Sequence, residues 1–198
     1  MPIYKVFINQ TWGGKMAKKE NSREIKIVNI VVSSDLKHDV PLEKMAATLS
    51  NTEYNPEQFP GLVLRIKEPK TSALVFSSGK IVCTGARTME EVKEAVQKII
   101  KSLEKINVKI TVDPEISIQN IVAAGSIGMD LNLNKLAIKL DNTEYEPEQF
   151  PGLVYKLNEA KATFLLFSNG KIVCTGTKSE EAVHKALDML IVNLKKVQ

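Results

Sequence analysis

The chain has 198 residues, 43% of them hydrophobic and 25% charged, with a net charge of +4. That length suits one or two domains with a real core, and the composition excludes a disordered or fibrous chain. No apolar run approaches the ~20 residues of a membrane span, and the opening residues lack the apolar core and cleavage site of a secretory leader, so a cytoplasmic protein without a membrane partner is predicted.

Residues 1–22 hold an apolar run, Ile3-Tyr4-Lys5-Val6-Phe7-Ile8, then Trp12, Gly13-Gly14, Lys15, Lys18 and Lys19. Gly13-Gly14-Lys15 is not a phosphate loop, because the Gly-x4-Gly-Lys-Ser/Thr spacing is absent. Two readings stay open: residues upstream of a natural start at Met16, which is preferred, or a genuine basic extension. A β-rich run follows over 24–33, then a short helix over 41–49 with Pro41 in its first turn. Short strands are predicted around 51–54 and over 61–67, 71–76 and 80–85, with Ser77-Ser78-Gly79 as a tight turn. A long amphipathic helix runs from Met89 to about Lys105. Its apolar positions Val92, Ala95, Val96, Ile99, Ile100 and Leu103 have helical spacing, and Thr88 with Glu91 forms a capping box.

The same order then recurs. Shifting the sequence by 91 aligns residues 25–107 with 116–198, and 40 of the 83 positions are identical without a gap. NTEYNPEQFPGLV returns as NTEYEPEQFPGLV, and FSSGKIVCTG as FSNGKIVCTG. Two copies of this length are a duplicated domain, not a solenoid of ~20–50-residue units. Residues 23–112 form the first repeat and 113–198 the second. In the second, Ser179 can cap but Ala182 replaces the glutamate. Each repeat reads β-α-β-β-β-β-α, an α+β unit, and the two sheets are expected to join edge to edge into one curved antiparallel sheet. Charge is uneven: residues 1–112 carry 18 − 12 = +6, residues 113–198 carry 9 − 11 = −2.

Strand alternation divides the side chains between two faces. Val28, Ile30 and Val32 share one face, and Asn29, Val31 and Ser33 the other; Ile81 and Cys83 oppose Val82 and Thr84; Ala73 and Val75 oppose Leu74 and Phe76. Two helices per repeat cover only one face. The other carries Val31, Leu74, Phe76 and Val82 with their twins Val122, Leu165, Phe167 and Val173. An uncovered apolar face of that size marks a binding site, or packs against a second copy or another domain. The polar members favour a ligand. Asn29, Asn120, Thr84 and Thr175 need partners in a dry interface, whereas the DNA minor groove at A·T pairs offers only acceptors, which an amide N–H can meet.

No catalytic set is present. Cys83 and Cys174 read as buried and inert in KIVCTG strands, with no disulfide framework or metal site. His38 and His184 have no twins and read as solvated or capping residues. No enzyme activity and no cofactor are expected.

Over about residues 23–196 the chain resembles the TATA-box-binding proteins, nearest to the archaeal form. The resemblance rests on QNIV and its variant VNIV, EYNPEQFPGLV, Lys67-Glu68-Pro69-Lys70 and SGKIVCTG. It implies a saddle of ten strands with four helices on its back. It implies a general initiation factor that binds the TATA box of double-stranded DNA in the minor groove, kinks it, and recruits transcription factor B and RNA polymerase to archaeal promoters at the nucleoid. By matching position, Phe59, Phe76, Phe150 and Phe167 are the wedging pairs. Asn29, Asn120, Thr84 and Thr175 are polar base readers, and Val31, Val122, Leu74, Leu165, Val82 and Val173 the apolar floor. Arg65, Lys156, Lys80 and Lys171 lie near phosphates. Glu146, Glu148 and Gln149 of the second loop contact transcription factor B, where the first loop has Asn55 in place of Glu146. The resemblance also implies self-association through the same face when DNA is absent.

Overall fold

The structure is a computed structural model that describes residues 24–197; the expected extension over 1–22 lies outside the described residues. The first repeat contains β1 (Glu24–Asp35), α1 (Leu42–Thr48), β2 (Thr52–Glu53), β3 (Leu62–Ile66), β4 (Thr71–Val75), β5 (Lys80–Ala86) and α2 (Met89–Glu104). The second contains β6 (Ile116–Ser126), α3 (Leu133–Lys139), β7 (Thr143–Glu144), β8 (Leu153–Leu157), a 3-10 turn (Asn158–Ala160), β9 (Ala162–Leu166), β10 (Lys171–Thr177) and α4 (Glu180–Val197). All ten strands form one curved antiparallel sheet in the order β2-β3-β4-β5-β1-β6-β10-β9-β8-β7. The order is a palindrome of the repeats, and β1 and β6 join them at the centre, as expected from the duplication.

The helices cover one face because their sequences leave one apolar stripe each. On α2, Val92, Ala95, Val96, Ile99 and Leu103 are buried; on α4, Val183, Ala186, Leu190, Ile191 and Leu194. They pack on the inward strand positions Ile30, Val32, Ala73, Val75, Ile81, Cys83 and their twins. Each such fully buried Leu, Ile or Val contributes about 1.5–3 kcal/mol of transfer free energy. Burial pushes the thiol of Cys83 up to about 11 and that of Cys174 to about 12. Both therefore stay protonated and unreactive at neutral pH, as the sequence predicts. His38 and His184 are exposed.

Helix starts follow the sequence with two differences. Thr88 accepts a hydrogen bond from the Glu91 amide at 3.2 Å, but the Glu91 carboxylate reaches one residue further back than a capping box requires, accepting from the Arg87 amide at 2.7 Å. Ser179 caps the Ala182 amide at 3.1 Å without such a return bond. Pro41 stands just outside α1, at the capping position, with φ −76°. Its twin Asn132 caps α3 through the Lys135 amide at 3.0 Å. One copy thus starts its short helix with a fixed φ, the other with a side-chain acceptor.

The alternation read for the first strand breaks at one point. In β1, Ile27 pairs with Ala123 but Asn29 with Val122, so Val28 is an extra, bulged residue. Ile25 and Ile27 pack against the core beside Ile30 and Val32, and Val28 does not share their face. The twin of Val28, Gln119, is bulged in β6 in the same way, between Val31↔Asn120 and Val32↔Ile118. A bulge reverses the in–out pattern on either side of it, and nothing in a run of isoleucines and valines announces it.

Candidate nucleic-acid interface

The uncovered face is a surface of rows. In the first repeat Val63, Leu74, Val82 and Ser33 are successive cross-strand neighbours. In the second the row is Val154, Leu165, Val173 and Ala124. Val31 and Val122 sit at the centre, paired with Asn120 and Asn29 respectively. The structure thus gathers all six predicted floor residues on one face. It adds Val63 and Val154, which the sequence reading missed. Their signal was present: in each GLV run the leucine packs inward, so the next residue must point out. A second row, Arg65–Ser72–Thr84 and Lys156–Thr163–Thr175, runs beside the first and adds the hydroxyls of Ser72 and Thr163.

The Asn–Thr pairs owe their geometry to a second bulge. Between β1 and β5 the register passes from Ile30↔Ala86 to Val32↔Cys83, leaving Thr84 and Gly85 opposite Val31 alone. Gly85 adopts φ +104°, and a Cβ there would lie 2.7 Å from the Lys70 carbonyl oxygen. Only glycine accommodates both constraints. Its amide, freed from the ladder, donates to Asn29 Oδ1 at 2.7 Å. That fixes the amide flip: Asn29 Nδ2 faces Thr84 Oγ1 at 3.1 Å. The second repeat repeats this, with Gly176 N to Asn120 Oδ1 at 2.8 Å and Asn120 Nδ2 to Thr175 Oγ1 at 3.0 Å. Thr84 Oγ1 also donates to Asn29 Oδ1 at 3.2 Å and Thr175 Oγ1 to Asn120 Oδ1 at 3.3 Å, so the donor each pair has left over is the second amide N–H of its asparagine.

The four phenylalanines form two pairs at the two ends of the face. Phe59 meets Phe76 edge-on with centroids 5.9 Å apart; Phe150 meets Phe167 at 5.8 Å. Each loop phenylalanine is carried on a tight turn, Phe59 N donating to Asn55 O at 3.0 Å and Phe150 N to Glu146 O at 2.9 Å. The glycine of Phe-Pro-Gly has a steric role. A Cβ on Gly61 would lie 2.7 Å from the Phe59 ring and 3.0 Å from Phe76, and one on Gly152 would lie 2.6 Å from Phe150 and 3.0 Å from Phe167. Both rings lean on backbone that has no side chain.

Charge lies at the margins. Arg65 holds Glu53 through two hydrogen bonds of 2.9 and 3.3 Å. The Arg65 bond and charge keep the Glu53 carboxyl below its usual range, and Glu53 raises Arg65 in return. Lys156 pairs with Glu144 at 2.6 Å. Two of the four predicted phosphate ligands are therefore salt-bridged across to the edge strands. Lys80 and Lys171 are exposed at the starts of β5 and β10. Glu146, Glu148 and Gln149 are exposed on the second loop, away from the rows. No helix among the described residues is long and apolar enough to cross a membrane.

The family model described as transcription factor TFIID (or TATA-binding protein, TBP) matches residues 24–106 and again 115–197. The TATA-box-binding protein of Methanocaldococcus jannaschii is 50% identical over 175 residues, 88% of this chain and 96% of that protein. Those of Thermococcus kodakarensis and Archaeoglobus fulgidus are 49% and 48% identical over 87% of this chain, covering 91% and 95% of theirs. The solved structure of Methanococcus jannaschii TBP superposes with a TM-score of 0.82 at 49% identity, over 88% of this chain and 99% of that one. A doubled sheet, two matched repeats and near-half identity along most of the length lead to one conclusion: the chain belongs to the TATA-binding protein family.

Proposed function

We propose that the uncovered face grips the minor groove of a TATA element and that the two phenylalanine pairs wedge between base steps at its ends and kink it. The coarser statement follows from family membership: the chain is a TATA-binding transcription initiation factor, not an enzyme. The observation that carries the finer one is the pair of Asn–Thr clusters. Each presents an amide donor at the centre of an otherwise apolar face, and the A·T minor groove presents acceptors only, A N3 and T O2. A G·C pair would set its own N2–H donor against that amide. The valine and leucine rows would meet sugar edges, and the exposed Phe59 ring, 41% accessible, would unstack a step; this family is itself the standard example of such wedging. Arg65, Lys156, Lys80 and Lys171 would contact phosphates and supply affinity without sequence choice.

The second loop, with Glu146, Glu148 and Gln149, would carry transcription factor B, and through it RNA polymerase. Its acidity and exposure support this, as does the first loop's Asn55, which would make the two ends of the saddle unlike. Repeats bounded at 23–112 and 113–198 would each supply one half of the site. The test is energy transfer on an end-labelled TATA duplex beside a G·C-rich duplex of equal length. Bending of the TATA duplex alone, reduced by Phe59→Ala or Phe150→Ala at unchanged melting temperature, is expected. Normal bending by those variants would remove the wedge, and binding without any bend would transfer the face to a protein partner.

A further inference from the structure

The two sides of the uncovered face differ in one polar cluster. The first repeat's row does not stop at Ser33. Its cross-strand neighbour on β6 is Ser117, so Leu74, Val82, Ser33 and Ser117 lie in line. Gln119, the residue bulged out of β6, leans over both serines. Its Nε2 donates to Ser33 Oγ at 2.8 Å and to Ser117 Oγ at 3.2 Å, while its Oε1 accepts from Lys178 Nζ at 3.4 Å. The chain path brings Lys178 there, because β10 ends at Thr177, opposite Ile121 of β6. Ser117, Gln119 and Lys178 are exposed.

This network fixes the amide and leaves donors over. Each serine oxygen accepts a bond from Gln119, and neither hydroxyl finds an acceptor among the described residues. A hydroxyl that accepts still has its proton to give, and an ammonium has three. No carboxylate joins the network among the described residues. Two hydroxyl donors and one cation around a fixed amide suit an acceptor with several charged oxygens, which a phosphate is. The matching side is built otherwise. The twins of Ser33, Ser117, Gln119 and Lys178 are Ala124, Lys26, Val28 and Arg87. Lys26 pairs with Glu24 at 2.6 Å. Arg87 keeps a positive charge there, but the twins of the serines and of the amide supply no hydroxyl and no amide to aim it.

We propose that Ser33, Ser117, Gln119 and Lys178 bind one backbone phosphate on one side of the saddle only, an anchor that has no twin. The assignment rests on the reading of this face as the DNA interface. Phosphate contacts carry no base code, but they set register and orientation on a duplex. An unpaired anchor therefore makes the two ends of a near-symmetric saddle unlike at the backbone, independently of the acidic second loop.

A self-complementary TATATATA duplex with symmetric flanks tests this, with neutral methylphosphonate replacing one or both members of each two-fold-related pair of phosphates in turn. With a single anchor, replacing one phosphate costs at most about twofold, because the protein turns round and keeps its contact. Replacing both costs the whole contact, about tenfold for hydrogen bonds to a charged acceptor. Twin anchors would give about tenfold and about a hundredfold, the second loss being the square of the first; the phosphates met by the identical Lys80 and Lys171 should behave so, as an internal control. Gln119→Val with Ser33→Ala should lower affinity for the unmodified duplex by about the same tenfold and abolish the added loss on the doubly modified one. Val28→Gln with Lys26→Ser and Ala124→Ser should build the second anchor and convert the pattern to the squared one. Squared losses at every pair in the unaltered protein, or a doubly modified loss that survives Gln119→Val with Ser33→Ala, overturn the anchor while normal bending of the unmodified duplex keeps the reading of the face. Absence of bending on the unmodified duplex overturns both.

Discussion

At twin positions on the covered face, the first repeat has Leu64, Ala73 and Val75 where the second has Tyr155, Phe164 and Leu166. All six are buried. On the opposite face the twins are the same residues: Asn29 and Asn120, Thr84 and Thr175, Val82 and Val173, Leu74 and Leu165, and both phenylalanine pairs. The covered face needs only an apolar residue at each inward position and a volume that its own helices fill, so the copies have repacked independently. The other face must present one chemistry at two places, and there most side chains are identical, with Ser33 and Ala124, Ser72 and Thr163, and Arg65 and Lys156 among the exceptions. Of 83 aligned positions, 40 are unchanged, and the glycines, donors and rings of the site are among them.

The comparison breaks first, and hardest, in the core. Phe164 is fully buried and stands where the first repeat has Ala73. Phe164→Ala, although it installs the first repeat's own residue, should cost about 3–5 kcal/mol in chemical denaturation, because the surroundings are shaped to the ring. A loss under about 1 kcal/mol would mean that the two cores are interchangeable after all, as volume-conserving repacking allows.

On the site, equal chemistry predicts equal losses. Asn29→Asp keeps an acceptor for the Gly85 amide but turns the donor end into a carboxylate facing the groove's acceptors. TATA affinity should fall by about 1–3 kcal/mol, the worth of one specific base contact, and Asn120→Asp should match it. Competition with a G·C-rich duplex reads the result. A loss at one asparagine only would show that a single repeat does the reading.

Phosphate ligands should behave differently, weakening all DNA alike. Lys171→Ala or Lys156→Ala should lower the slope of log affinity against log salt by about 0.9 on TATA and non-TATA duplexes. Here the repeats should diverge a little, since the arginine at 65 reaches its carboxylate through two nitrogens, whereas the lysine at 156 has a single nitrogen to offer. The acidic loop sharpens the same contrast: Glu146→Arg with Glu148→Arg should leave binding to DNA intact and abolish the pull-down of transcription factor B. Retained pull-down would clear that loop of the role.

Much of this was legible in the sequence. A repeat at constant offset gave the architecture, and helical spacing gave both long helices to within a residue or two. Strand period sorted Ile81 and Cys83 from Val82 and Thr84. What escaped was set by register. The bulges at Val28 and Gln119 leave no mark in composition, yet it is the one at Val28 that puts Ile25 and Ile27, rather than Val28, on the core face with Ile30. Val63 and Val154 each follow an inward-packed leucine, Leu62 and Leu153, and that packing is what assigns them to the open face. The pairing of Arg65 with Glu53 joins residues 12 apart in sequence on neighbouring strands, and only the hairpin's register says they meet. The steric work of Gly61 and Gly152 likewise needs ring positions, which a tripeptide does not reveal.

The smallest effect concerns one hydroxyl. Ala86 and Thr177 are twins, paired with Ile30 and Ile121 at the same point of the central ladder. Ala86 is fully buried, and Thr177 is 3% accessible with no hydrogen-bond partner for Oγ1 among the described residues. An unsatisfied buried hydroxyl costs about 1–3 kcal/mol, while the methyl that Thr177→Ala also removes contributes about 0.8 kcal/mol. The substitution should therefore stabilise the fold by about 1 kcal/mol, a rise of about 2–4 °C in melting temperature for a chain of this size. Ala86→Thr should do the reverse, and cost more, because the first repeat's core has been fitted around a side chain with no γ atoms. If Thr177→Ala instead destabilised the protein, the hydroxyl would have to be satisfied by a buried water, and the second repeat would have built a polar contact into its core that the first never had.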